Sequence, residues 1–328
     1  MVQSLSKLVI ETTKRANLKT RLFNTIVSLN TQYNGSTMIC EGYTGSTRHL
    51  SGTFRVTKET KIKVYKGTAR LFYELVIDIA VKYRILDHFF RTNRYRRIAK
   101  SMGISRTVLL HGPAGTGKSA LCRAIAAKIA VRTKHTKTVE VHSAQYVSKF
   151  YGESAHKLNE LFKSVDKHTV VIIDEVDSLI VSRDQICARN EPLDSMRIVN
   201  TFLVNLDVSG CFLMCTTNLL GVVDRAFVDR MDMVVRMYYP CEQHVHRMIV
   251  NALHVLMLKN VIRFEVLPDC YGPPSKRMLA VSRAIGTASA RRIKKMLFCA
   301  MHRDVRTVDD ILDRLERIIE EQRENEQL

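Results

Sequence analysis

The sequence predicts an α/β fold: a doubly wound parallel sheet, preceded by a small N-terminal α+β module and followed by a C-terminal helical lid. Three observations predict it. Short apolar runs alternate with amphipathic segments from Thr107 to Met237, the pattern of parallel strands crossed by helices. A glycine-rich turn follows the first of those runs, at the strand end where such sheets bind ligands. From Cys241 to Ala300 the spacing is helical throughout, so no further strand joins the sheet. The domains expected are residues 1–67, a recognition module; 68–240, the large α/β domain; and 241–328, the lid with an acidic last helix.

In the N-terminal module, Leu18, Leu22, Phe23, Ile26 and Leu29 have helical spacing. Phe54, Val56, Ile62 and Val64 alternate around Lys58-Glu59, as in a β-hairpin. Leu71 to Phe90 reads as one helix, with Leu75, Ile79, Tyr83, Leu86 and Phe90 on one face. The cluster Arg91, Arg94, Arg96, Arg97 and Lys100 follows, either a phosphate contact or a solvated helix face.

Val108, Leu109 and Leu110 form the first strand. Gly112, Pro113, Ala114, Gly115, Thr116, Gly117, Lys118 and Ser119 come next, and a helix runs from Ala120 to Val131. This is G-x-x-x-x-G-K-S between a strand and a helix, the context a P-loop requires. Glycines turn successive backbone N–H groups onto phosphate oxygens, and the helix N-terminus adds its positive end. Lys118 is the expected contact for the β- and γ-phosphates of ATP, and the Ser119 hydroxyl a ligand of Mg²⁺.

The second strand is Thr138–Val141, and a helix follows at Ser154–Val165. The third, Val170–Ile173, ends in Asp174-Glu175. Asp174 fits the carboxylate that holds Mg²⁺. Glu175, pointing the other way out of the pleat, fits the base that polarises an attacking water. A helix at Asp194–Leu206 leads to the fourth strand, Phe212–Cys215, beyond which Asn218 is placed to orient the same water. Arg230 lies before the fifth strand, Val234–Met237, and far from the P-loop in sequence. It reads as a finger for the γ-phosphate held by a neighbouring subunit or as an intrachain ion pair with Asp229 or Asp232. Thr307 and Asp310 make a capping box for a last helix bearing Ile311, Leu315, Ile318 and Ile319.

Composition narrows the class. With 46% hydrophobic and 25% charged residues, the chain has the make-up of a globular protein. No apolar run approaches a membrane span and no secretory h-region opens the chain, so no membrane partner is expected. Eight scattered cysteines without a C-x-x-C pair point to free thiols in a reducing compartment. The net charge is +19. Residues 307–328 carry eight acids against three arginines, or −5, leaving +24 on the rest. That field either favours nucleic acid, chromatin or acidic protein partners or is a generally basic surface, since no nucleic-acid-binding motif accompanies the charge.

These pieces, in this order, resemble the AAA+ ATPase superfamily from about Leu71 to Ala300. The resemblance implies a ring hexamer with each nucleotide between two subunits. It matches Lys118 and Ser119 to the phosphate and Mg²⁺ ligands, Asp174 and Glu175 to the Mg²⁺ and water carboxylates, and Asn218 to the first sensor. Arg230 matches an R-x-D arginine finger, while Asp229 stands where many relatives carry a second arginine. Arg291 matches the second sensor on the lid, with Arg292 a competitor one residue away. Phe150 and Tyr151, in Lys149-Phe-Tyr-Gly-Glu-Ser154, resemble the aromatic pore loop that grips a threaded polypeptide.

A narrower resemblance is to the pachytene checkpoint protein 2 family, through Leu109-Leu-His-Gly-Pro113, Asn190 to Asn200, Asp207, Asn218 and Ala226-Phe-Val-Asp-Arg-Met-Asp232. Two positions depart from it: Ala114 replaces a second proline, and Ala290 a glycine before the lid arginine. The family's N-terminal domain is longer than residues 1–67. The resemblance implies an ATP-driven remodeller that opens HORMA-domain proteins, commonly through a HORMA-like adaptor. Meiotic chromosome-axis and spindle checkpoint control, and location in the nucleus on chromosomes and in the cytoplasm, follow from the same resemblance. The alternatives are a motor acting on nucleic acid and a catalytically silent scaffold subunit gated by nucleotide.

Overall fold

The computed structural model describes residues 70–133, 136–143, 153–183, 193–263 and 275–327. The N-terminal helix and hairpin expected within residues 1–67, and the pore-loop pair Phe150 and Tyr151, lie outside the described residues. Among the described residues the chain forms two compact units, one closing at Tyr238 and the other beginning at Tyr239.

The first unit begins with three helices: α1 (Arg70–Glu74), α2 (Ile79–Arg94) and α3 (Arg96–Ser101). Strands and helices then alternate through β1 (Thr107–His111), α4 (Lys118–Arg132), β2 (Lys137–His142), α5 (Glu153–Ser164) and β3 (Thr169–Asp174). The unit continues through α6 (Leu193–Ser209), β4 (Phe212–Thr217), α7 (Arg225–Asp229) and β5 (Met233–Arg236). All five strands are parallel, in the order β2-β3-β4-β1-β5. The expected doubly wound sheet is present.

Its strands are apolar on both faces because each face carries a helical layer. Leu109, Val171, Ile173, Leu213 and Cys215 face one side, against Leu158, Phe162, Phe202 and Phe227 of α5, α6 and α7. Phe162, Phe202 and Phe227 meet edge to face, with centroids 5.3 and 5.4 Å apart. Val108, Leu110, Val170, Ile172, Phe212 and Met214 face the other side, against Phe72, Ile85, Phe89, Leu121 and Ile125 of α1, α2 and α4. Each such fully buried side chain contributes about 1.5–3 kcal/mol, so the strand alternation itself fixes the register.

The single helix expected over Leu71–Phe90 is two helices, broken at Leu75–Asp78. The break has its own partners. Asp78 caps α2, its Oδ1 accepting from Ala80 N at 2.8 Å. The Lys82 ammonium, one turn into α2 and 3% exposed, donates back to the carbonyls of Phe72 and Leu75 and so closes α1.

The second unit is helical in its described residues: α8 (Glu242–Leu258), α9 (Lys276–Ile285), α10 (Ala290–Cys299) and α11 (Val308–Gln327). Ser275 caps α9 and Ser289 caps α10. The expected capping box opens α11, with Thr307 N donating to Asp310 Oδ2 at 2.8 Å and Asp310 N to Thr307 Oγ1 at 3.2 Å. No helix among the described residues is long and apolar enough to cross a membrane.

Candidate functional site

The C-terminal ends of β1, β3 and β4 lie side by side, and the chemistry-bearing residues cluster there. Beyond β1 the chain turns through Gly112, Gly115 and Gly117 with φ of +136°, +75° and +99°, values that disfavour any residue with a Cβ. Gly117 is the N-cap of α4, and no side chain caps that helix. Its first N–H groups are thereby left to an anion. The Lys118 ammonium folds back over the turn and donates to the carbonyls of Gly112 and Pro113, each at 2.7 Å. A Cβ built on Gly117 would come within 3.2 Å of the Ile77 side chain. The linker between α1 and α2 therefore forms an apolar wall beside the turn.

Ser119, in the first turn of α4, donates from Oγ to Asp174 Oδ1 at 2.6 Å. Thr216 of β4 donates to the same oxygen and accepts from Glu175 N at 3.1 Å. Arg123, one turn after Ser119, bonds Glu140 of β2 through Nε at 2.6 Å, and its Nη2 lies 3.9 Å from Asp174 Oδ2. Asp174 is thus held by a hydroxyl from each side and faced by a cation. One carboxylate and one hydroxyl beside a phosphate-binding turn fit Mg²⁺, which takes few protein ligands and completes its shell with phosphate and water oxygens.

Glu175 departs from the sequence expectation. The strand ends at Asp174, and Glu175 has a left-handed backbone, φ +56° and ψ +53°. Its direction comes from that turn, held by Thr216, rather than from strand alternation. A non-glycine residue in this region stores about 1–3 kcal/mol of strain, a cost characteristic of functional sites. Its carboxylate is exposed, as is Asn218 beyond β4. His111, which opens the turn, is drawn below its ordinary pKa by burial, then by Arg236 and Lys118. Cys122 is fully buried, and burial followed by Asp174 pushes its thiol far up, so it stays unreactive.

Arg230 is elsewhere. It follows α7, and its carbonyl accepts from Thr107 Oγ1 at 3.0 Å, at the first residue of β1. The P-loop leaves the last residue of that strand, four steps or about 13 Å away. The exposed Arg230 side chain donates from Nη1 to Ala226 O at 3.0 Å. The Asp232 carboxylate takes N–H groups from Ser105 and Thr107 and the His88 ring nitrogen. Burial alone would raise its pKa. The His88 hydrogen bond and the two backbone N–H groups outweigh that and hold it below the usual carboxylate range.

In the second unit Arg291 and Arg292 are both exposed on α10. Arg292 is engaged, its Nε and Nη2 donating to Gln322 Oε1 at 3.1 and 2.9 Å.

Sequence reasoning missed Thr216, Ile77 and the Arg123–Glu140 pair. Thr216 carried a local signal, a hydroxyl two residues before Asn218 at a strand end. The others act through contacts between elements distant in sequence.

The family model for the ATPase family associated with various cellular activities (AAA) matches residues 108–239. The chain is 30% identical over 261 residues to the pachytene checkpoint protein 2 homolog of Gallus gallus, covering 70% of this chain and 60% of that one. It spans about half to three fifths of the length of the curated relatives it matches. The fold is similar to C. elegans PCH-2, with TM-score 0.59 and 21% identity over 78% of this chain and 70% of the other. It is also similar to a chain in an E. coli MS115-1 HORMA:CdnC:Trip13 complex, with TM-score 0.56 and 16% identity over 76% and 90% of the two. Residues 108–239 are thus an AAA domain of the ATPase family, and the chain is a relative of the pachytene checkpoint protein 2 homologues.

Proposed function

We propose that this protein hydrolyses ATP between protomers of a ring, a homo-hexamer, and uses the cycle to open or unfold HORMA-domain proteins, directly or through a HORMA-like adaptor. The observation that carries the ATPase reading is the arrangement at the sheet edge. Asp174 accepts from Ser119 and Thr216 next to a P-loop, and Glu175 is turned out by a left-handed backbone.

Lys118 and the N–H groups of the turn bind phosphate oxygens. Ser119 and Asp174 hold Mg²⁺, which supplies charge neutralisation on the phosphates. Glu175 polarises the attacking water, Asn218 orients it, and Ile77 excludes solvent beside Gly117. Arg230 is too far along β1 to serve its own P-loop, which supports a role on the neighbour's γ-phosphate. Arg291 senses nucleotide from the lid, and Phe150 with Tyr151 grips the substrate.

The HORMA partner, the meiotic and checkpoint roles and the nuclear, chromosomal location are supported by kinship with the pachytene checkpoint proteins. The HORMA protein named in the E. coli complex supports the partner class. A motor acting on nucleic acid is the second reading, favoured by the exposed basic run Arg91, Arg94, Arg97 and Lys100.

Glu175→Gln tests the first reading. ATP binding and assembly are expected to survive while phosphate release falls about 100-fold or more, the scale of losing a general base. A HORMA-domain protein is expected to co-purify with the trapped form. Normal turnover by the variant overturns the catalytic assignment, and stimulation of the wild type by polynucleotide alone favours the second reading.

A further inference from the structure

We infer that Thr107 and Asp232 are positioning residues for Arg230. Strand β1 then carries its own P-loop at one end and, at the other, the mount of the arginine offered to the next protomer. This rests on reading Arg230 as a finger acting in a neighbour's site.

The mount is a closed set of hydrogen bonds around the turn Arg230-Met231-Asp232. Thr107 Oγ1 donates to Arg230 O at 3.0 Å and accepts from Asp232 N at 2.9 Å, so one hydroxyl clamps the turn at both ends. The Asp232 carboxylate returns the grip, Oδ1 accepting from Ser105 N at 3.0 Å and Oδ2 from Thr107 N at 2.9 Å. His88 of α2 closes the set, its Nε2 3.2 Å from Asp232 Oδ2.

The set is dry. Thr107 is fully buried, the side chains of His88 and Asp232 are each 8% exposed, and Met231 packs into the core below. Threonine suits the position, since β-branching restricts χ1 and so fixes where the hydroxyl points. Arg230 is thereby an exposed cation on a backbone with almost no freedom. Such a group must be held to within roughly 0.5 Å to stabilise a phosphoryl-transfer transition state.

The five residues of β1 are paired on both sides, with β4 and β5, so a well-fixed strand joins the P-loop after His111 to the mount at Thr107.

Thr107→Val keeps the shape and removes the clamp. It is expected to lower kcat roughly 10–100-fold, the scale of a small misplacement of a catalytic group, with nucleotide affinity within about twofold. Thr107→Ser, which keeps the hydroxyl, is expected to keep kcat. Asp232→Asn, which turns one accepting oxygen into a donor facing N–H groups, is the second route to the same loss.

The decisive measurement mixes Thr107→Val protomers with inactive Lys118→Ala protomers in common rings. The Lys118→Ala protomer brings an intact Arg230, so turnover per Thr107→Val protomer is expected to rise on mixing, which weakened folding of the variant would not produce. If Arg230→Ala is rescued by this mixing and Thr107→Val is not, the positioning role is wrong and the finger stands. If Arg230→Ala turns over normally alone, the finger reading fails and takes the proposal with it.

Discussion

At Gly112 the backbone has φ +136°, and a Cβ built there would lie 2.2 Å from the carbonyl oxygen of Met237. That oxygen cannot retreat, because Met237 N is bonded to His111 O at 2.7 Å, extending the pairing of β1 with β5. Gly112→Ala is therefore expected to cost roughly 2–5 kcal/mol from strain and overlap together. A thermal melt without nucleotide, falling by several degrees, checks it. The glycine was legible in the sequence because the P-loop motif is local. Its reason was only half legible, since Met237 arrives from 125 residues on. The same division runs through the site. Lys118, Ser119, Asp174 and Asn218 follow from strand ends and spacing, whereas the αL turn at Glu175 depends on Thr216 from the adjacent strand.

Elements are legible in the sequence where one segment carries its own signal. Val108–Leu110, Val170–Ile173 and Phe212–Cys215 are apolar on both faces, as strands of a parallel sheet covered by helices on each side require. The break at Leu75–Asp78 is not legible, because apolar residues on either side keep helical spacing across it. What ends α1 is the Lys82 ammonium reaching back to the Phe72 and Leu75 carbonyls, a contact between helices. What starts α2 is Asp78 on Ala80 N. The break matters to the site because it brings Ile77 beside Gly117. Asp78→Ala is expected to destabilise the first unit by about 1 kcal/mol through loss of the cap, and to weaken nucleotide binding through Ile77. Denaturant unfolding and nucleotide titration of the same variant check the two effects.

Across the whole molecule the net charge of +19 is unevenly spent. In the second unit the acids of α11 are partly used within the unit, Arg277 pairing with Asp309, Asp313 and Glu316. Such exposed pairs contribute little each, so the arginines that matter are told apart by what holds them. Arg292 has its N–H group on the Ser289 cap and its guanidinium on Gln322, which ties α10 to α11. No hydrogen bond or ion pair holds the guanidinium of Arg291 among the described residues. A side chain that answers to nucleotide must be free to move toward it, and one already bonded across two helices loses those bonds to do so. The sequence left the two as competitors one residue apart, and the bonding supports the proposal that Arg291 is the sensor. Arg291→Ala is expected to cut ATP turnover about tenfold or more, as for loss of one charged transition-state donor, with the melting temperature unchanged. Arg292→Ala is expected to leave turnover within about twofold and to cost about 1 kcal/mol of stability in the second unit. Phosphate release and thermal unfolding of both variants decide between them, and the opposite pattern assigns the lid sensor to Arg292.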